Sequence, residues 1–110
     1  MSGNIRNLRS EDLDQFLGEL PFAIVHLDAQ WDGCRGIIAR KMDGLIDHLT
    51  DSTSFGYVDI DLEPDHARSI GLRNVPACSY YRGKDLVTTV IGAQQDIEMN
   101  LRIVREGGVP

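Results

Sequence analysis

Strand and helix patterns that alternate along the chain and close on a hairpin predict an α/β fold. The expected architecture is a central mixed β-sheet of four to five strands flanked by about four helices. Three observations carry this. Phe22-Ala23-Ile24-Val25-His26-Leu27 is a nearly continuous apolar run, the pattern of a central strand covered on both faces. Ile38, Met42, Leu45, Ile46 and Leu49 then fall on one helical stripe, with Arg40, Lys41, Asp43 and Asp47 outside it. Finally, Ala77 to Arg82, a Gly83-Lys84 turn and Leu86 to Ile91 read as a hairpin.

The remaining elements fit between these. Leu13, Phe16, Leu17 and Leu20 recur at helical spacing after Ser10, whose hydroxyl can accept from the first free amides, and Pro21 stops this short helix. Phe55 to Asp61 alternates and carries β-branched and aromatic residues, so it is a strand. Glu63-Pro64 opens a short helix with proline at its first position, and Gly71 suits its C-terminal cap. Gly92-Ala93 leads into a last helix with Ile97, Leu101 and Val104 inward, and the tail from Gly107 to Pro110 should fray. The predicted order is β-α-β-α-β-α-β-β-α.

A chain of 110 residues makes one domain, residues 1–110, long enough to hold a core without disulfides or a metal. Seventeen acids against 11 bases give a net charge of −6, which argues against nucleic acid or an anionic membrane surface as partner. No apolar run approaches the roughly 18 residues of a membrane span, and no signal-type stretch follows Met1 to Arg6. Two cysteines, Cys34 and Cys78, make no disulfide framework, so the cytoplasm is the expected compartment. No internal repeat or low-complexity tract is present.

Four segments carry a resemblance. They are Ala29-Gln30-Trp31 before the second long helix, Val58-Asp59-Ile60-Asp61 with Pro64 following, Gly71-Leu72-Arg73-Asn74-Val75-Pro76, and Gly92-Ala93 at the end of the hairpin. In their order and spacing the chain resembles the thioredoxin family, without internal gaps from about Ile5 to Val104. The resemblance implies the thioredoxin fold, with a cis peptide between Val75 and Pro76.

The departure from the family lies at its reactive centre. Thioredoxins carry Trp-Cys-Gly-Pro-Cys; this chain has Trp31-Asp32-Gly33-Cys34-Arg35. Aspartate stands where the attacking cysteine belongs, arginine where the resolving cysteine belongs, and Cys34 on the family's proline position. Sliding the register by one to make Cys34 the resolving thiol breaks the agreement at Ile38 and Ala39. Disulfide reduction needs one thiolate to attack and a second to release the mixed disulfide, and neither a carboxylate nor a guanidinium can do either. His26 stands where the family has a buried aspartate and Tyr57 where it has a buried lysine, so the proton-handling pair is replaced too.

Asp32 has a plain reading as the N-cap of the following helix, where the positive end of the helix holds a carboxylate as it would a thiolate, contributing about 1 kcal/mol. Arg35 is either a solvated side chain, a partner for Asp32, or a contact for an acidic ligand. Cys34, in the first turn of a helix, is either a chance surface thiol or a single reactive site open to glutathionylation or a mixed disulfide. Cys78 alternates into the core as a small apolar filler, and a Cys34–Cys78 bridge is not expected.

Other sites fare worse. Asp59-x-Asp61-x-Glu63 has Pro64 where a calcium loop needs glycine and Ile70 where its bidentate glutamate should be. His26, His48 and His66 lack the spacing of metal ligands. His26 reads as a core histidine which, if neutral, should lower stability below about pH 6 as it is forced to charge. No metal, cofactor or nucleotide loop is expected.

What remains is a groove. Trp31, Asp32, Gly33, Cys34, Arg35, Val75, Pro76, Ala77 and Gly92 occupy the positions where, by resemblance, family members hold an extended polypeptide, the backbone before the cis proline pairing with the guest strand. Trp31 belongs either to that groove or to packing against the second helix. The favoured expectation is a redox-inactive, cytoplasmic, polypeptide-binding accessory or chaperone-type module for an unidentified client, monomeric or weakly dimeric. The alternative is a thiol redox protein of cell redox homeostasis that uses Cys34 alone.

Overall fold

The computed structural model describes residues 5–33, 35–49 and 52–110; the side chains of Arg35 and of residues 47–49 are not described. The elements are β1 (Arg6–Asn7), a 3-10 turn (Ser10–Asp12), α1 (Leu13–Leu17), β2 (Phe22–Asp28), α2 (Arg35–Leu49), β3 (Thr53–Asp59), α3 (Pro64–Ser69), β4 (Ala77–Arg82), β5 (Asp85–Ile91) and α4 (Ile97–Arg105). The five strands form one mixed sheet in the order β1-β3-β2-β4-β5. β1, β3 and β2 run parallel, whereas β4 pairs antiparallel with both β2 and β5.

Side-chain alternation along β2 divides the core in two. Ile24 points to the face covered by α2 and α4, where it meets Ile38, Met42, Ile46, Tyr80, Leu101 and Val104. Ala23, Val25 and Leu27 point to the other face, against Phe16 and Leu17 of α1 and, beyond α3, Ile70 and Leu72. The predicted stripe of α2 is buried at Ile38, Met42, Leu45 and Ile46; the side chain of Leu49 lies outside the described residues. Lys41, outside that stripe as expected, donates to the carbonyls of Ala93 at 2.8 Å and Gln95 at 2.9 Å.

Several boundaries move for identifiable reasons. Ser10 does not cap the first helix. The Asp12 carboxylate reaches back to the Arg9 amide (3.1 Å), while the Ser10 amide donates to Glu63 Oε1 (2.8 Å). The third strand runs from Thr53 to Asp59 rather than from Phe55 to Asp61, because the amides of Leu62 and Glu63 turn back onto the Asp59 carbonyl at 3.1 and 2.9 Å. Gly56 of β3 lies where β1 and α1 close on the sheet: a Cβ there would stand 2.6 Å from Leu8 Cδ1 and 3.0 Å from Phe16 Cζ.

The tail is partly tied down, against expectation. Gly107, at φ +93°, ends α4 with its amide on the Val104 carbonyl and that of Gly108 on Ile103. These bonds satisfy orphan carbonyls of the last turn. Arg82 then donates to the carbonyls of Val104 and Gly108, both at 2.9 Å.

Candidate functional site at the carboxyl ends of the central strands

β2 ends at Asp28 and β4 begins at Ala77, and their ladder closes with the pair Leu27–Ala77. The loop after β2, carrying Trp31, Asp32 and Gly33, thus leaves the sheet at the same end at which Val75 and Pro76 lead into it. The Val75–Pro76 peptide is cis. Pro76 and Ala77 are buried, and Val75 is half-buried just outside the ladder. Gly92 donates its amide to the Pro76 carbonyl at 2.8 Å. Its φ of +120° is one that L side chains rarely adopt, and a Cβ there would meet nothing within 4 Å. The glycine is thus set by backbone geometry and leaves an open shelf beside the proline.

That shelf is braced from below. Gln95 donates to the carbonyls of Val90 and Gly92 (both 2.9 Å) and accepts from the buried Tyr80 hydroxyl at 2.6 Å. Asn100 donates to the same hydroxyl at 3.1 Å. With Lys41 on the Ala93 and Gln95 carbonyls, the β5–α4 loop is held by side chains from α2, β4 and α4. No periodic pattern announces Gln95, which is why this brace escapes sequence reading.

Trp31 is 68% exposed, so it is not packing against α2. Its indole Nε1 donates to Asp61 Oδ2 at 2.8 Å. Asp61 is fixed in turn, its amide donating to Asp59 Oδ1 at 2.9 Å. Asp61, read from sequence as the end of a strand, is therefore the residue that aims the tryptophan. Asp32 is half-buried, with its amide on the Ala29 carbonyl at 3.1 Å, and Gly33 is exposed. Cys34 lies outside the described residues, as does the Arg35 side chain; the proposed cap, the Asp32–Arg35 pair and the reactivity of Cys34 all rest on them.

Beneath α2 lies a row of polar side chains. His26 pairs in register with Tyr57 on β3 and with Cys78 on β4. His26 Nε2 lies 2.9 Å from Asp28 Oδ2, and both side chains are sealed from water. The His26 and Tyr57 rings meet edge to face with centroids 5.2 Å apart. Asp28 Oδ1 accepts from the Ala29 amide at 2.8 Å, so the same carboxylate orders the loop that carries Trp31. Sequence reading stopped the strand at Leu27 and missed Asp28; the signal available was its period-2 relation to His26. The finding also adds to the expectation for His26: this core histidine has a buried carboxylate partner. Cys78 is fully buried and free, and burial, reinforced by the Asp28 charge, pushes its thiol up to about 12.

Among the described residues, no group of three or more His, Cys, Asp or Glu stands close enough to hold a metal ion. No described helix is long and apolar enough to cross a membrane.

A thioredoxin of Streptomyces clavuligerus is 26% identical over 112 residues, covering 100% of this chain and 99% of the relative. The chain is thioredoxin-like. Its fold is that of solved thioredoxins: a mutant thioredoxin from Halobacterium salinarum superposes with a TM-score of 0.82 at 19% identity, over 94% of this chain and 89% of that one. A thioredoxin of Malassezia sympodialis gives 0.79 at 21% identity, over 94% and 90%. No protein-family model matches the chain. The thioredoxin-like frame is thus retained while its reactive segment reads Trp31-Asp32-Gly33-Cys34-Arg35.

Proposed function

We propose that this thioredoxin-like chain does not exchange disulfides and instead acts as a binding, accessory or chaperone-type module. It holds an extended polypeptide along the shelf formed by Val75, Pro76 and Gly92, with Trp31 at its rim. Asp32 and Arg35 stand where both exchanging thiols would be, and this is the observation that carries the reading. An exposed tryptophan anchored at 2.8 Å on Asp61, at the same end of the sheet as the Gly92 shelf, supports it. Aromatic anchors of this kind dominate binding surfaces. The partner is an unidentified client polypeptide in the cytoplasm, and the chain works as a monomer or weak dimer without a cofactor.

The test uses Trp31 as its own reporter, since it is the chain's one tryptophan. Titration with an extended decapeptide alternating Thr and Val should shift its emission, and Trp31→Ala should weaken binding of the labelled peptide by about tenfold or more, the loss of one good aromatic anchor. Unchanged affinity in Trp31→Ala, with the fold intact, overturns the groove.

A second reading takes Cys34 as a single reactive thiol in redox homeostasis, favoured by the name of the full-length relative, a thioredoxin. The iodoacetamide rate against pH decides it. A Cys34 pKa near the free-thiol value of about 8.5 removes its basis, whereas a strongly lowered one supports it.

A further inference from the structure

A cavity of about 550 Å³ opens beside Trp31, between the β1–α1 segment and the turn from β3 to α3. Asp12, Asp59 and Glu63 line it, with Leu8, Leu62 and Arg9 among their neighbours. Two of its lining residues adjoin the tryptophan or its anchor: Gln30 precedes Trp31, and Leu62 follows Asp61, on which Trp31 is anchored.

Each of the three carboxylates spends one oxygen on a backbone amide. Asp12 Oδ2 takes that of Arg9 (3.1 Å), Glu63 Oε1 that of Ser10 (2.8 Å) and Asp59 Oδ1 that of Asp61 (2.9 Å). These bonds orient the groups and leave a second oxygen on each. Among the described residues none of the three forms an ion pair, and Arg9 is drawn instead towards Glu11 at 3.9 Å. The Ser10 amide holds the Glu63 carboxyl below its ordinary range, so it is ionised at neutral pH. The acids are nevertheless too dispersed to share a metal ion. A long cation suits them better: its aliphatic stem can lie on Leu8 and on Leu62, which is 73% exposed, while its head reaches the carboxylates.

We infer that this cavity seats an arginine or lysine side chain of the polypeptide held in the groove, so that the partner is a basic segment. The inference rests on the groove reading above and adds the partner's chemistry to it. Charge complementarity selects the occupant: the cavity's acids outnumber its one base, and the whole chain carries −6.

The experiment compares two fluorescein-labelled decapeptides of alternating Thr and Val, one with a central Arg and the other with Gln at that place, by anisotropy at low salt. The Arg peptide should bind about tenfold tighter, and about 0.5 M salt should erase most of the difference. In an Asp12→Asn/Glu63→Gln variant each amide keeps the acceptor oxygen for its backbone partner, so the fold should persist, as a melting curve verifies. The preference should fall below about twofold there while affinity for the Gln peptide is unchanged. Equal binding of the two peptides to the wild type, or a preference that survives in the double variant, overturns the inference. If the Gln peptide still binds and needs Trp31, the groove stands without it. Arg-peptide binding that needs Asp12 and Glu63 but not Trp31 upholds the cavity and overturns the groove, and failure of both peptides to bind at about 1 mM overturns both.

Discussion

His26 Nε2 and Asp28 Oδ2 lie 2.9 Å apart on one face of β2, with side-chain exposures of 1% and 0%. The pair sits in the centre of the sheet, between Tyr57 and Cys78, under the helix that begins at Arg35, the last residue of the altered motif. Removing one member of a buried pair leaves the other's hydrogen-bonding capacity unmet, which costs more than the pair itself contributes.

Asp28→Ala strips the partner from His26 and the acceptor from the Ala29 amide together. The expected loss is about 3–5 kcal/mol in urea unfolding. Asp28→Asn keeps an acceptor for the amide and should lose less. A cost below about 1 kcal/mol for the alanine variant would mean the pair is not the buried brace described.

The site's frame was largely legible in the sequence, its supports less so. Apolar runs and helical stripes gave the central strands and α2 because burial on known faces imposes those periods, and the Gly83-Lys84 turn followed from its own chemistry. Asp28 was not legible, because an aspartate after an apolar run normally marks a turn; only the register with β3 and β4 shows that it is inside. Gln95, Asp61 and Lys41 act through single hydrogen bonds to distant loops, which leave no periodic trace. Trp31, open in the sequence between groove and helix packing, is exposed and bonded to Asp61, a partner no periodicity announces.

His66 supplies a pH dependence. It is buried on α3 and its Nε2 has no hydrogen-bond partner among the described residues; burial lowers its pKa from 6.5, partly opposed by the Glu63 charge. The unfolded chain therefore binds the proton more readily than the folded one. The stability this gives is present above about pH 6.5 and is lost as pH falls through the lower folded value. Urea midpoints measured from pH 7.5 down to 5 should decline, and His66→Leu should flatten that decline relative to wild type. Parallel curves for the two proteins would contradict the assignment.

Cys78 should be chemically silent. With its thiol pushed up to about 12, roughly one molecule in ten thousand carries a thiolate at pH 8, and the side chain is sealed as well. In a Cys34→Ser variant, native protein should react negligibly with Ellman's reagent, and denaturant should release one thiol per chain. Rapid native labelling would show that the sheet opens around β4.

The central claim is that a thioredoxin-like frame bearing Asp32 and Arg35 grips a polypeptide without exchanging electrons with it. Insulin reduction by dithiothreitol, followed as turbidity with and without the protein, tests this most directly. The expected onset is indistinguishable from that of the protein-free control; a clear, concentration-dependent acceleration would show that the chain exchanges disulfides after all.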